Sequence, residues 1–456
     1  MIRRKEEEMK NPKTAIALIM VALGVAGIGT FYLARTHDGV RVPTLSPRSG
    51  DASVSAEFLN AQKAAAFYRD EIKRNPDDTK NYVQLGQLFL QEARVTGQYE
   101  EYIPKARYLL EEALQRKPDD FEAGITEASM LMILHHFEEA KEVVEKAIEN
   151  NPYNAFAYGV LCDALVELGK YDEAIKACDR MLTIRPDLRS YARASYLREI
   201  HGDPDGAREA MRLAADAGVF GHEDRAWVTY QLGMLYLNEG RLDTAEFVFK
   251  GILDERPKYA YALSGLARVA SARRNFEGSA RLFEEAFDIM PDHTFIEELA
   301  GVYKAAGENR KSEEAVQEAL QEFKDQAREG WQVDGEFAIF STNHGLQLDG
   351  ALTRAKREYE RRPDNIQALD TYAWALFKND KAAEAVPYIE RALRLGTRNA
   401  SFHYHASMIY RGAGNSVKAK RHLQEALQIN PYFTPTYSSG AEESLAALTE
   451  TDVAAK

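Results

Sequence analysis

The sequence has few cysteines and lacks the familiar motifs of catalytic and metal sites. It has two cysteines among 456 residues, Cys162 and Cys178, and two cysteines without a matching second pair do not form a zinc site. It contains no GxSxG motif, no HExxH motif and no glycine-rich phosphate loop. We therefore expect that the protein is not an enzyme and has no catalytic residue, metal site, cofactor or small-molecule substrate.

Negative charge exceeds positive charge outside the N-terminus. The formal net charge is −13, although residues 1–50 carry eight Lys/Arg against four Asp/Glu, so the remainder of the chain is still more acidic. An acidic surface repels phosphate backbones, and no basic stripe with interleaved aromatic residues offsets it. These observations argue against nucleic acid as a partner.

Only one long hydrophobic run is present. Residues 14–34 contain no charged side chain, and at 1.5 Å per residue a helix of this length reaches about 31 Å, enough to cross a hydrocarbon core. The alternatives are a cleaved signal peptide, which would leave a secreted or periplasmic protein, or a buried core helix. The run is longer than a usual signal-peptide core, and Tyr32-Leu33-Ala34 is a poor cleavage site. We predict an uncleaved signal anchor in a bacterial cell membrane.

The charges beside this run predict its orientation. Five Lys/Arg precede it in residues 1–13, and three follow in residues 35–56. Positive residues stay on the cytoplasmic side, so the rest of the chain is expected outside the cytoplasm. A start at Met9 would leave two of the five and weaken the bias.

Small residues recur about every 34 positions, ten times in succession. The column consists of Ala106, Ala140, Ala174, Ala207, Ala245, Ser279, Ala315, Ala351, Ala385 and Ala419. Twelve positions after most of them a proline closes the unit: Pro118, Pro152, Pro186, Pro257, Pro291, Pro363 and Pro431. Because proline ends a helix, this period predicts a stack of helix pairs.

These columns resemble the tetratricopeptide repeat (TPR). The fifth unit carries the pattern clearly, with Leu232-Gly233, Tyr236, Ala245, Phe249 and Pro257. The resemblance covers roughly residues 57–437. It implies an all-α, right-handed superhelical solenoid of about ten helix-turn-helix units, placed after the one N-terminal transmembrane helix.

The predicted organisation has six parts. They are a cytoplasmic N-terminus (1–13), the transmembrane helix (14–34), a flexible linker rich in proline, glycine and serine (35–56), an N-terminal capping helix (57–76), the TPR array (77–437), and a C-terminal cap and tail (438–456). The eighth unit is the weakest, with residues 331–344 in place of its first helix.

Cysteine and histidine positions have structural interpretations. Cys162 and Cys178 fall on the two helices of the third unit, where a disulfide is conceivable outside the cytoplasm, although two buried thiols are the favoured alternative. His135 and His136 are expected in a solvated inter-helix turn. His403 and His405 diverge on a helix and do not form a metal pair.

The resemblance also implies that first helices line a concave groove. Its inward positions are rich in aromatic residues, Met and Arg, which are enriched in binding hot spots. The predicted partner-binding residues are Phe156, Trp227, Tyr230, Met234, Tyr261, Arg268, Trp374, Phe377, Tyr404 and Met408. Trp227, Tyr230 and Tyr261 are the best candidates. The alternative is that some face the neighbouring repeat, since an error of one residue in register would bury them.

From these features we predict a membrane-anchored scaffold or adaptor for proteins of an envelope assembly. Lys80, Val83 and Gln87 do not complete the Lys/Asn cluster of repeats that grip chaperone tails, so an apolar partner segment fits better. The other hypotheses are a periplasmic chaperone-like holder of exported chains and a regulatory subunit of an enzyme encoded elsewhere.

Overall fold

The computed structural model describes residues 42–48 and 56–433. The predicted span at 14–34, most of the linker and the tail at 438–456 lie outside these residues. Within residues 56–433 the chain is all-helical, with 21 helices and no strand. None of these described helices combines the length and the apolarity needed to cross a membrane.

After a single helix α1 (Ala56–Arg74), twenty helices form ten pairs. The first helices of the pairs are α2 (Thr79–Thr96), α4 (Phe121–Ile133), α6 (Ala155–Glu167), α8 (Leu188–Ile200), α10 (Glu223–Asn238), α12 (Ala260–Ala272), α14 (His293–Ala305), α16 (Asp334–His344), α18 (Ile366–Lys378) and α20 (Ala400–Gly412). The second helices are α3 (Tyr99–Arg116), α5 (Phe137–Asn150), α7 (Tyr171–Ile184), α9 (Pro204–Ala217), α11 (Leu242–Glu255), α13 (Phe276–Ile289), α15 (Asn309–Arg328), α17 (Leu348–Arg361), α19 (Ala382–Ala392) and α21 (Ser416–Ile429).

The sequence columns explain where these helices begin and end. All ten small residues of the column lie on second helices and are buried, the most exposed at 5%. Each closing proline stands two positions after the last residue of a second helix, as Pro152 does after Asn150. The turn within a pair passes through left-handed backbone, which glycine adopts without strain. It does so at Gly169, Gly202, Gly240, Gly307 and Gly414.

The described chain divides into two compact units. In the first, residues up to 88 together with 108–118, the carbonyl of Pro76 accepts hydrogen bonds from the Tyr82 hydroxyl (3.1 Å) and from Arg116 Nε (2.7 Å). Phe58 and Ile72 are buried in it. The second unit, residues 89–107 and 119 onwards, contains nine complete helix pairs and all the sites discussed below.

In the second unit, first helices form the inner layer of the stack. Each second helix packs on its own first helix, most of them also pack on the next first helix, and several neighbouring first helices contact each other directly, as α16, α18 and α20 do. Because the stack is closest-spaced along its first helices, it curves with these helices on the concave side.

Turns within the first five pairs pack against loops five pairs later, and we call this line of contacts the seam. A Cβ on Gly169 would lie 2.2 Å from the carbonyl carbon of Asp364, and one on Gly202 would lie 2.3 Å from the carbonyl oxygen of Gly396. The other contacts join Gly97 to Pro291, His135 to Gln332 and Gly240 to Asn430. The seam therefore runs the length of the second unit.

Polar groups on both sides of the seam are paired. Asn365 Nδ2 donates to the carbonyl of Glu167 (3.0 Å), and Asn430 Nδ2 donates to the carbonyl of Leu237 (3.1 Å). Arg362 forms an ion pair with the Glu167 carboxylate at 2.5 Å. Hydrogen bonds made at a buried contact are worth more than their surface equivalents because leaving them unmade is expensive.

The seam corrects one expectation. His135 and His136 were predicted in a solvated turn, but both are half-buried against the loop after α15. His136 Nε2 lies 2.7 Å from the carbonyl oxygen of Gly330, and His135 Nδ1 lies 3.3 Å from that of Gln332. The period of 34 residues does not reveal a contact made five units away.

Candidate functional site

The predicted groove residues all lie on first helices, and none of them is fully exposed. Tyr230, Trp374 and Tyr404 are buried, with 6%, 1% and 8% of their surface exposed. The other seven are half-buried: Phe156, Trp227, Met234, Tyr261, Arg268, Phe377 and Met408. Their placement on the concave helices follows the repeat pattern, and their contact with a partner remains a prediction.

Trp227, Tyr230 and Tyr261 form one aromatic cluster across neighbouring pairs. Ring centroids are 4.9 Å apart between Trp227 and Tyr261 and 5.5 Å apart between Tyr230 and Tyr261. Phe295 continues the cluster onto α14, with 5.7 Å between its centroid and that of Tyr261. The rings meet edge to face or tilted, so each shields part of its neighbour, which explains why Trp227 and Tyr261 are only half exposed.

The tyrosine hydroxyl groups of this cluster are hydrogen-bonded. The Tyr261 hydroxyl donates to Asp292 Oδ2 at 3.0 Å, and burial, reinforced by that carboxylate, raises the pKa of Tyr261 above its usual range. Arg268 donates to the Tyr230 hydroxyl (2.9 Å) and to the Glu298 carboxylate (3.2 Å). The cluster therefore offers a partner aromatic area with its hydrogen bonds already made.

A second cluster surrounds Trp374 on α18. Its indole stacks on His405, with ring centroids 4.1 Å apart, and its Nε1 donates to Asn343 Oδ1 at 2.9 Å. His405 Nδ1 lies 2.9 Å from Asp370 Oδ2, and both residues are buried. Sequence reasoning missed this pair, although Asp370 and His405 stand one repeat length apart, which is the available signal.

Beside the Asp370–His405 pair is a cavity of about 270 Å³. Its walls come from three successive first helices, α16, α18 and α20, and from Phe433 in the segment after α21. They combine apolar and hydrogen-bonding groups: Ile339, Asn343, Gln367, Thr371, Tyr404 and Phe433. Among the described residues, no group of His, Cys, Asp or Glu is arranged to hold a metal ion. The cavity is suited to peptide-like groups, which present both apolar surface and hydrogen-bonding atoms.

Cys162 and Cys178 are free, buried thiols on α6 and α7. The hydrogen bond that the Cys162 thiol makes to Cys178, together with burial, raises the pKa of the Cys162 thiol. The disulfide that the sequence permits is not formed in the structure, and both side chains serve as compact core residues.

Family models of the tetratricopeptide repeat match residues 131–197, 230–293 and 372–432. The chain therefore carries tetratricopeptide repeats, as its sequence columns predicted. In a solenoid of this kind the stacked units present an extended surface to other proteins.

Two curated relatives and one solved structure show how far the likeness extends. "Cellulose synthase operon protein C" of Pseudomonas fluorescens (strain SBW25) is 26% identical over 168 residues, which cover 35% of this chain and 13% of that protein. "Anaphase-promoting complex subunit 7" of Arabidopsis thaliana is 22% identical over 375 residues, 81% of this chain and 64% of that protein. This chain thus aligns with less than two thirds of either relative.

The solved structure is that of a thermophilic TPR protein of Thermus thermophilus. It is 23% identical to this chain, with a TM-score of 0.37, and the alignment covers 43% of this chain and all of that one.

Proposed function

We propose that this protein is a membrane-anchored scaffold or adaptor that binds a segment of a partner protein on its concave, first-helix surface. The observation that carries the proposal is the cavity beside Asp370 and His405. It crosses three repeats on the concave side and offers both apolar walls and hydrogen-bonding groups. Such a cavity anchors side chains of a docked segment.

The bound segment is apolar and either extended or helical. Trp227 and Tyr261 supply half-buried aromatic surface on α10 and α12, and aromatic anchors dominate the energetics of protein interfaces. The acidic composition of the chain disfavours an acidic segment.

The anchor is the charge-free run at residues 14–34, and the repeats lie outside the cytoplasm. The clients are components of an envelope assembly for secretion, surface polysaccharide export, pilus or cell-wall synthesis. One relative is named for a cellulose synthase operon, so machinery for surface polysaccharide is the first client class to examine.

The test is site-specific photo-crosslinking in the native cell. A photoreactive residue replaces Trp227 on α10 or Gln367 on α18, and captured proteins are identified by mass spectrometry. The control position is Phe247, which is 78% exposed but lies on the second helix α11. We expect one or two recurrent envelope proteins at both concave positions and not at the control.

Other outcomes contradict specific parts of the proposal. A broad spread of exported chains would favour the chaperone-like holder, and an enzyme as the recurrent partner would favour the regulatory subunit. Capture of cytoplasmic proteins alone would overturn the topology. Equal capture at position 247 would overturn the concave surface as the binding site.

A further inference from the structure

A cavity of about 290 Å³ lies at the beginning of the seam and adjoins the Trp227 cluster, since Asp292, which accepts from the Tyr261 hydroxyl, is among its lining residues. One wall is the turn into α3 with Tyr99 and Glu100. The other consists of the loop after α13 and the end of α15, with Gln326, Glu329 and Trp331. Its volume is slightly below the about 300–1,000 Å³ typical of drug-sized ligands, so it suits a single side chain.

The cavity is negatively charged. Glu100 and Glu329 stand on its exposed rim, Glu322 is half-buried, and no lysine or arginine is among the residues that line it. Burial, reinforced by the charge of Glu100, raises the pKa of both Glu322 and Glu329. Of the other lining groups, Glu101 is paired with Lys105 at 2.6 Å, and Asp292 accepts a hydrogen bond from the Tyr261 hydroxyl. Burial lowers the pKa of the lining His293, which disfavours its charged form. A bound cation would relieve this repulsion.

An unsatisfied acceptor points to the same kind of ligand. Gln326 lines the cavity with 6% of its surface exposed, and its Nε2 donates to Glu322 Oε1 at 3.2 Å. Its Oε1 accepts no hydrogen bond. A buried acceptor without a donor is expensive, and a ligand with several hydrogen-bond donors would satisfy it.

Aromatic rings complete the lining. Tyr99 and Trp331 meet edge to face with ring centroids 5.5 Å apart, and burial raises the pKa of Tyr99 to about 12, so its ring stays neutral. Aromatic faces attract cations, and arginine is the cation found on them most often.

The lining groups of this cavity favour an organic cation over a metal ion. Among the described residues, no three carboxylate, imidazole or thiolate groups are close enough to share a metal ion. Dispersed carboxylates, an amide oxygen and ring faces instead match a planar group with several donors pointing in different directions, which is the guanidinium.

We propose that this cavity is a binding site for an arginine side chain of a partner protein. The site adjoins the Trp227 cluster through Asp292, but none of the residues predicted for the groove lines it, so it is tested independently of the proposed function. It gives the acidic solenoid a second, charge-selective contact beside its apolar one, so a partner with an exposed arginine is selected over one without.

The experiment is a titration of the full chain with N-acetyl-arginine methylamide, followed by tryptophan fluorescence. The neutral isostere N-acetyl-citrulline methylamide serves as the matched ligand. We expect saturable binding of the arginine probe and at least about tenfold weaker binding of the citrulline probe, because charge-assisted hydrogen bonds are lost. Trp331→Phe should remove most of the fluorescence change.

Charge-neutralising variants locate the site. Glu322→Gln and Glu329→Gln together should weaken the arginine probe by about tenfold or more. Both variants remove repulsion, so their unfolding midpoint should not fall. Glu313→Gln, at an exposed position on the same helix α15, should bind as the wild type does. Equal binding of the two probes, undiminished binding by the double variant, absence of saturable binding, or a stronger response to calcium chloride would each overturn the proposal.

Discussion

The side-chain amide of Asn365 donates a hydrogen bond to the main-chain carbonyl of Glu167, 3.0 Å away and 198 residues earlier in the chain. Asn430 repeats this bond two pairs later with the carbonyl of Leu237 at 3.1 Å. In a simple repeat array each unit contacts only its neighbours. Here the seam also couples units five pairs apart, so the second unit is expected to unfold more cooperatively than a simple array.

Asn365→Asp tests the seam with the helix cap left in place. Asn365 Oδ1 caps α18 by accepting from the backbone N–H of Gln367 (2.9 Å), a role that aspartate retains. Aspartate lacks the donor and sets a carboxylate against the carbonyl of Glu167. We expect a loss of about 1–3 kcal/mol in the free energy of unfolding, measured by urea denaturation.

Asn399→Asp is the matched control for that variant. Asn399 caps α20 by accepting from the backbone N–H of Phe402 (3.1 Å), and its side chain is exposed. We expect a change within about 0.5 kcal/mol, as for other exposed substitutions. Equal losses at the two positions would show that the seam bond contributes nothing beyond the cap.

Gly169→Ala, compared with Gly414→Ala, measures the cost of disturbing the seam apart from the cost of backbone strain. Gly169 has φ +76°, and a Cβ there would meet the carbonyl carbon of Asp364 at 2.2 Å. Gly414 stands at the equivalent turn with φ +80° and open space around it. Both alanine variants should lose about 1 kcal/mol for the left-handed backbone. Gly169→Ala should lose clearly more, and its hydrodynamic radius should increase as the seam opens.

A comparison of the two variants by denaturation and analytical ultracentrifugation decides the matter. The same loss and an unchanged radius in both would mean that the turn yields to the added methyl group without opening the seam.

The repeating columns predicted the helix pairs because a helix end and a close helix contact are local requirements. Pro152 and Ala174 act on their own helices, and the same demand recurs in each unit. The seam was not predictable in this way, since nothing near Gly169 in the sequence specifies Asp364 as its neighbour. That contact depends on small rotations summed over five pairs.

The groove residues show a similar division. The period predicted that each groove residue lies on a first helix, but it did not predict how exposed each side chain is. Trp374 and Trp227 were both predicted to line the groove from first helices, yet Trp374 is 1% exposed because His405 stacks on it, whereas Trp227 is half-buried. The neighbouring side chain decides which of them a partner can reach.

Trp374→Ala should therefore chiefly affect stability, whereas Trp227→Ala should chiefly affect partner binding. Removing the buried Trp374 leaves a cavity and removes the donor that Asn343 Oδ1 accepts from, and we expect a loss of about 3–5 kcal/mol in the free energy of unfolding. Trp227→Ala should lose less, because its ring already meets solvent, and should chiefly weaken capture of the partner. Thermal unfolding of both variants measures the first effect, and pull-down of the cross-linked partner measures the second. A larger loss of stability in Trp227→Ala would contradict these burial assignments.

The His403–His422 pair predicts a pH-dependent term in stability. Their Nδ1 atoms lie 3.0 Å apart, and burial lowers the pKa of each to about 4. Arg398, Arg421 and Lys418 act in the same direction, while Glu425 opposes them at His422. Unfolded histidine takes up its proton near pH 6.5, so the folded pair disfavours protonation. Its stabilisation is complete above about pH 6.5 and is lost as the pH falls toward 4.

His422→Gln removes one titrating group while keeping a hydrogen-bonding side chain beside His403. The wild type should be at least as stable as the variant at pH 7.5, and this advantage should shrink or reverse at pH 5, as measured by urea denaturation at both values. Buried carboxyls such as Glu297, whose pKa is raised by burial, act with the opposite sign but equally in both chains, so they cancel in the difference. His222→Gln, at an exposed position, is the control. A pH-independent difference between wild type and His422→Gln would rule out the pair as a source of acid sensitivity.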